Sequence, residues 1–172
     1  MSLLHFFLSP YGRISRQAFW LGLIVMFGVS IPVTLLIDPT ALDAVQAGGQ
    51  AGQQVTSGLG PGPRLPSMLE TLWSLVLTWP SAAISIKRFN DRDRPQWVGY
   101  VLTVLMALLV VANGFGMMLD PDTMAPAEKV AFAVILSFVS WSVIDNGFYK
   151  GTAGPNRYGP DPLPQPLGAR GD

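Results

Sequence analysis

The sequence predicts an all-α membrane protein: four transmembrane helices in a bundle, with the N-terminus and the C-terminus both cytoplasmic. Three observations carry this. Hydrophobic residues make up 49% of the chain and charged residues only 13%, with a mean hydropathy of +0.37, well on the membrane side of globular averages. Four apolar stretches of spanning length run at about 18–37, 68–86, 97–119 and 131–148; about 20 residues at 1.5 Å rise cross a hydrocarbon core of about 30 Å. Nine of the eleven Lys and Arg residues fall on one side of those stretches.

A lone segment in lipid can satisfy its own backbone polar groups only as a helix, so each stretch is read as one. The first, Ala18–Ile37, follows Arg13 and Arg16 as a signal-peptide core follows its basic region. It is longer than such a core, and no small-x-small site precedes Asp38-Pro39, so it is read as a retained span. Upstream, Leu3, Leu4, Phe6, Phe7 and Leu8 are too few to cross. They read either as an anchor lying along the membrane surface or as a frayed terminus.

Residues 38–67 are rich in Gly, Gln and Pro and cannot bury enough apolar surface to fold alone, which predicts a flexible outer loop. Ser67-Met68-Leu69-Glu70 fits a capping box opening the second stretch. Pro95 and Pro126 stand where helices should start, where a missing N–H costs little. Pro32 and Pro80 should kink their helices, and Asn113-Gly114-Phe115-Gly116 should end or bend the third. Trp20, Trp97, Tyr100 and Tyr149 fall at the inner edges and Trp73 near the outer edge, as an aromatic belt requires; Trp79 and Trp141 sit deeper, as packing residues.

Orientation follows from the basic residues. Arg13 and Arg16 precede the first stretch. Lys87, Arg88, Arg92 and Arg94 lie between the second and third, and Lys150, Arg157 and Arg170 in the tail. The other two connections hold only Arg64 and Lys129, so the positive-inside rule puts both termini and the middle connection in the cytoplasm. Residues 1–172 form one membrane domain, ending in a Gly/Pro-rich tail from residue 150.

Small residues recur at helical spacing: Ser74, Thr78, Ser81 and Ser85 on the second stretch, Gly99, Thr103 and Ala107 on the third, Ala133 and Ser137 on the fourth. Close helix packing is the preferred reading, a polar path through the bundle the rival. Ionisable residues in mid-span would have favoured transport, and none occurs.

Three cytoplasmic segments carry more detail than spanning requires. They are Gly12-Arg13-Ile14-Ser15-Arg16-Gln17-Ala18-Phe19-Trp20, Lys87-Arg88-Phe89-Asn90-Asp91-Arg92-Asp93-Arg94-Pro95-Gln96-Trp97, and Gly154-Pro155-Asn156-Arg157-Tyr158-Gly159-Pro160-Asp161-Pro162. In sequence and order they resemble the small bacterial inner-membrane proteins grouped as domain of unknown function 805. That family's pattern is Gly-Arg-x-x-Arg-x-x-aromatic-Trp, then Arg-Leu-His-Asp-x-Gly-Lys-Ser-Gly-Trp-Trp, then Asn-Arg-Tyr-Gly-Pro. The first and third match closely. In the middle one Asn90 replaces His, Asp93 replaces Gly, Arg94 replaces Lys, Pro95-Gln96 replace Ser-Gly and Val98 replaces the second Trp, so a role needing an imidazole there is absent or altered. The resemblance implies a multi-pass protein of the bacterial inner (plasma) membrane, with the outer loop periplasmic, and brings no reaction.

Arg13, Arg16, Arg88, Asp91, Asn156, Arg157 and Tyr158 are the candidate site. One reading is architectural: Asp91 accepts from one or two arginines, and the tail lies across the helix ends with Asn156 and Tyr158 completing the hydrogen bonds. Arginine suits this, its planar fork pairing bidentately with carboxylate. The alternative leaves some arginines free to bind an anionic lipid headgroup or a small phosphorylated molecule at the inner leaflet. A scaffold for other membrane proteins, a homo-oligomer and a small transporter are further possibilities. No catalytic constellation is visible, so no enzyme is expected. With no cysteine and His5 as the single histidine, no metal or cofactor is expected either. The basic residues are few and mixed with Asp, which disfavours nucleic acid.

Overall fold

The computed structural model describes residues 2–39, 66–115 and 125–163. Among the described residues five helices follow in order: α1 (Leu3–Leu8), α2 (Arg16–Ile37), α3 (Met68–Asp91), α4 (Gln96–Gly114) and α5 (Pro126–Phe148). Among the described residues extended pairing is limited to an isolated bridge, Asn156 with Gly159.

Local chemistry sets the helix starts. The hydroxyls of Ser2 and Ser15 accept from the N–H groups of His5 and Ala18, capping α1 and α2. The capping box of α3 is formed in both directions, Ser67 N–H to Glu70 Oε2 at 2.7 Å and Glu70 N–H to Ser67 Oγ at 3.2 Å. Pro95 is the N-cap of α4, and Pro126 occupies the first turn of α5.

Among the described residues three helices, α2, α4 and α5, are long and apolar enough to cross a membrane by length and composition. Their surfaces are largely exposed, with Leu21, Ile24, Phe27, Val104, Val134 and Leu136 all facing outward. Apolar area on that scale is not what a protein surrounded by water leaves uncovered.

The 24-residue α3 is more polar and is not among the three. It lies at the centre, packed most extensively on α4, then on α2 and α1, and touching α5. Its Ser and Thr side chains can meet neighbouring helices, where small residues allow close packing.

Some boundaries differ from the sequence expectation. The second apolar stretch does not end its helix at Ile86: α3 runs on through Lys87-Arg88-Phe89-Asn90-Asp91, all buried. Arg88 and Asp91 thereby stand three residues apart on one helical face. The helix of the third apolar stretch, α4, ends at Gly114, where an added Cβ would meet the Thr71 side chain at 2.6 Å. Residues 116–119 of that stretch, loop residues 40–65 with Arg64, and the tail beyond Leu163 with Arg170 lie outside the described residues.

The small-residue faces divide. Gly99 does mediate close packing, since a Cβ there would sit 2.5 Å from Ile86 Cγ1. Ala133 and Ser137 are exposed instead, because α5 is buried only near its carboxyl end, at Ser142, Asp145, Asn146 and Gly147. Ser74, Thr78, Ser81 and Ser85 line a cavity between α2, α3, α4 and α5.

The residues before α2 are docked. Phe6 and Phe7 pack on Ile14, Phe19 and Ile84, while Leu3, Leu4 and Leu8 face outward. The Lys87 ammonium donates to the carbonyls of His5 (2.6 Å) and Phe6 (2.8 Å), and Trp79 Nε1 donates to that of Leu8 (3.0 Å). These carbonyls belong to the last turn of α1, where Ser9 N–H already donates to that of His5 at 3.3 Å, and the end of the helix attracts positive charge.

Candidate functional site

The amino ends of α2 and α4 and the carboxyl ends of α3 and α5 meet at one end of the bundle, and the three motif segments are gathered there. The geometry follows from a need of α5. Its last four carbonyls, Asp145 to Phe148, have no intrahelical donors, and Tyr149 beyond them is extended, so the helix does not close on itself with a glycine turn.

Each carbonyl is met by a different side chain from elsewhere. Arg92 Nη1 donates to Asp145 O at 2.7 Å, Arg88 Nε to Asn146 O at 2.7 Å, Trp20 Nε1 to Gly147 O at 3.0 Å and Arg16 Nη1 to Phe148 O at 3.1 Å. Arg88 Nη2 also donates to Tyr149 O. Two of the donors come from the first motif and two from the second. Three carry positive charge at the negative end of the helix dipole, where it is favoured. Gly147 has to be glycine here: a Cβ would lie 2.6 Å from the Trp20 ring.

Asp91 is the centre of the charge arrangement. Its Oδ1 accepts from Arg13 Nε at 3.1 Å and faces Arg13 Nη2 at 3.0 Å, and its Oδ2 accepts from Arg88 Nη1. All three residues are buried. Two guanidinium groups against one carboxylate leave an excess of buried positive charge. Burial without partners would be prohibitive, and backbone carbonyls offset it. Arg13 Nη1 donates to Gly154 O (2.7 Å) and Gly159 O (3.3 Å), and its Nη2 to Thr152 O (2.6 Å); Arg88 Nη1 reaches Ile14 O at 3.5 Å. Every guanidinium nitrogen of Arg13 and Arg88 therefore has a protein acceptor.

The tail is folded onto this centre. Thr152 N–H and Oγ1 both donate to Asp91 O, at 2.8 and 2.9 Å. Asn156 Nδ2 donates to Asn90 O and Thr152 Oγ1, both at 2.9 Å. Gly154 and Gly159 have φ of +73° and +135°, a backbone that glycine adopts without cost. Gly151 is glycine for want of space, since a Cβ would overlap the Asp91 carboxylate. Partly buried Asp161 closes the loop. The backbone N–H groups of Leu163 and Gly154 donate to its carboxylate and hold its pKa below the usual carboxylate range.

Asn90, standing where the resembling family has His, is wholly buried, and its Nδ2 donates to Pro10 O (3.2 Å) and Gly12 O (3.0 Å). It stitches the segment before α2 to the end of α3. Asp93, standing where the family has Gly, has φ +55°, in the left-handed region that Asp tolerates better than most residues. Its carboxylate meets Arg157 Nε at 2.9 Å.

Of the seven residues singled out in the sequence, the structure brings Arg13, Arg88, Asp91 and Asn156 into one connected set. Arg16 joins through the end of α5. Arg157 and Tyr158 form an outer rim, Arg157 bonded to Asp93 and stacked 4.8 Å over the Tyr158 ring, and Tyr158 OH donating to Arg94 O at 2.9 Å. Sequence reasoning did not single out Lys87, Trp20, Thr152, Asn146 or Asp145, whose carboxylate pairs with Arg92 at 3.0 Å and Arg94 at 3.6 Å. Asp145-Asn146 closing an apolar stretch was a visible signal of something polar to meet. Among the described residues no group of His, Asp or Glu side chains is placed to hold a metal ion.

The family model described as Protein of unknown function (DUF805) matches residues 7–160, which include all three motifs. The chain is 25% identical over 161 residues to Uncharacterized protein YiiR of Escherichia coli (strain K12), covering 94% of this chain and 90% of that protein. The same figures hold for YiiR of Escherichia coli O157:H7. No solved structure matches.

Proposed function

The chain belongs to the DUF805 family, and from that premise we propose that it is a multi-pass protein of the bacterial inner membrane whose motif residues form a structural clamp on the cytoplasmic side. α3 is the fourth span, at the bundle centre, and both termini are cytoplasmic. The observation that supports the clamp most directly is the end of α5, where four carbonyls without helical partners take donors from two separated motifs. Such an end beside a membrane has to be sealed by the protein, because hydrocarbon offers it nothing.

Eight of the nine described Lys and Arg residues lie on this side, in keeping with the positive-inside rule. The fully engaged nitrogens of Arg13 and Arg88 favour a clamp over an anion site at the centre. A second reading rests on Arg94 and Arg157, whose side chains are about half exposed at the level where anionic headgroups attract basic residues by about 1 kcal/mol each. The proposal gives the chain no reaction to catalyse.

The absence of cysteine makes the topology test direct. Gly52→Cys and Lys150→Cys are labelled separately with a membrane-impermeant maleimide. We expect Gly52→Cys to label from the periplasmic side of spheroplasts and Lys150→Cys only in inverted vesicles. Both labelling from the same side would overturn the four-span topology.

A further inference from the structure

Between α2, α3, α4 and α5 lies a cavity of about 350 Å³, within the range of small-molecule sites. It runs beside α3 from Ser74 to Ser85, about 16 Å at helical rise. Leu23, Leu102 and Met106 supply apolar wall, and no Asp, Glu, Lys or Arg is among its lining residues.

Its polar groups are hydroxyls and one amide. Thr78, Ser81 and Thr103 each donate their hydroxyl to a carbonyl of their own helix, at 2.9, 2.9 and 2.7 Å. That leaves their oxygens as acceptors. At the end nearest the clamp, Asn146 Nδ2 donates to Ser142 Oγ at 3.4 Å. Asn146 is 1% exposed, and its Oδ1 has no partner among the described residues. A buried amide oxygen left unpaired calls for a donor.

We propose that this cavity binds an uncharged single-chain alcohol, its hydroxyl donating to Asn146 and its hydrocarbon chain lying along the Ser/Thr face of α3. The absence of charge among the described lining residues disfavours an ionised head in a low-dielectric site, and the unpaired Asn146 oxygen selects a donor over a carbonyl or ether. This inference rests on the membrane reading above, since the bilayer is the reservoir for such a molecule.

The test is native mass spectrometry of the full chain in phosphatidylcholine nanodiscs, with farnesol as probe and farnesene as the same skeleton without the hydroxyl. Wild type should retain one farnesol and at least tenfold less farnesene, because a site built around a hydrogen bond rejects the analogue lacking it. Ser81→Phe, which fills the cavity, should abolish the adduct, and Asn146→Leu should erase the preference for the alcohol. Thermal unfolding in the same nanodiscs reports whether each variant folds; should Ser81→Phe not fold, the farnesol-to-farnesene ratio on wild type still decides. Equal retention of the two probes, an adduct indifferent to a folded Ser81→Phe, or a phospholipid as the retained mass would each overturn the proposal. Maleimide labelling on the expected sides, with no alcohol bound, sinks the cavity while leaving the topology standing.

Discussion

The two ends of α5 differ in kind. At its carboxyl end Asp145, Asn146 and Gly147 are buried, and the last four carbonyls each have a named donor. Toward its amino end Val130, Val134 and Leu136 are exposed, and the helix is held mainly by its own hydrogen bonds and its Glu128 cap. Lipid tails accept apolar side chains in almost any arrangement, so the apolar half needs composition and little else. A carbonyl or a guanidinium accepts only a partner at the right distance and angle. Specific residues therefore concentrate at the polar end, and the three motifs lie there for that reason.

The strongest way to break this contrast is Asp91→Ala. It leaves two buried guanidinium groups without their carboxylate and should cost about 3–5 kcal/mol, seen as loss of monodisperse protein in detergent. Wild-type yield and unfolding temperature would mean that the carbonyls alone neutralise Arg13 and Arg88. Gly151→Ala comes next. The new methyl must displace a carboxylate pinned from two sides, at about 1–3 kcal/mol, and wild-type thermal stability would show that the tail has room to shift.

Trp20→Phe keeps an aromatic ring against Phe148 but leaves Gly147 O without its donor. A loss of about 1 kcal/mol is expected, set against Val134→Ala on the exposed half, which should stay within about 0.5 kcal/mol. If both variants unfold at the same temperature in a heating series, the capped end holds no more of the fold than the lipid-facing one.

The smallest effect concerns pH. Because Asp161 has its pKa lowered by backbone donors in the folded tail, its anchoring is present above the unfolded carboxylate value. It is lost as pH falls through the lowered folded one. The amide signals of Gly154 and Leu163 should hold steady near neutrality and move together only in that acidic range, and Asp161→Asn should remove the step. Movement at neutral pH would assign the anchoring to another group.

Much of the scaffold was legible in the chain. Helix starts at Ser67, Pro95 and Pro126 follow from caps and proline placement, and α2, α4 and α5 from runs of apolar residues. The extension of α3 through Asp91 was not, because Lys87, Arg88 and Asp91 read as loop when polarity alone is scored. Their burial depends on partners from α1, α2, α5 and the tail. Likewise the Ser74-to-Ser85 face reads as a packing face in the sequence, and only the placement of α2, α4 and α5 around it leaves a cavity there.

What the sequence determined by itself is the family, the helices and the residue types gathered in the motifs, because hydropathy and capping are local sums over neighbouring positions. Only the tertiary structure decided that Arg88 seals α5, that Lys87 holds α1 and that Asn146 keeps a free acceptor beside a cavity. The first two depend on atoms from distant parts of the chain standing within about 3 Å, and the third on no donor coming that close, conditions that no window along the sequence contains.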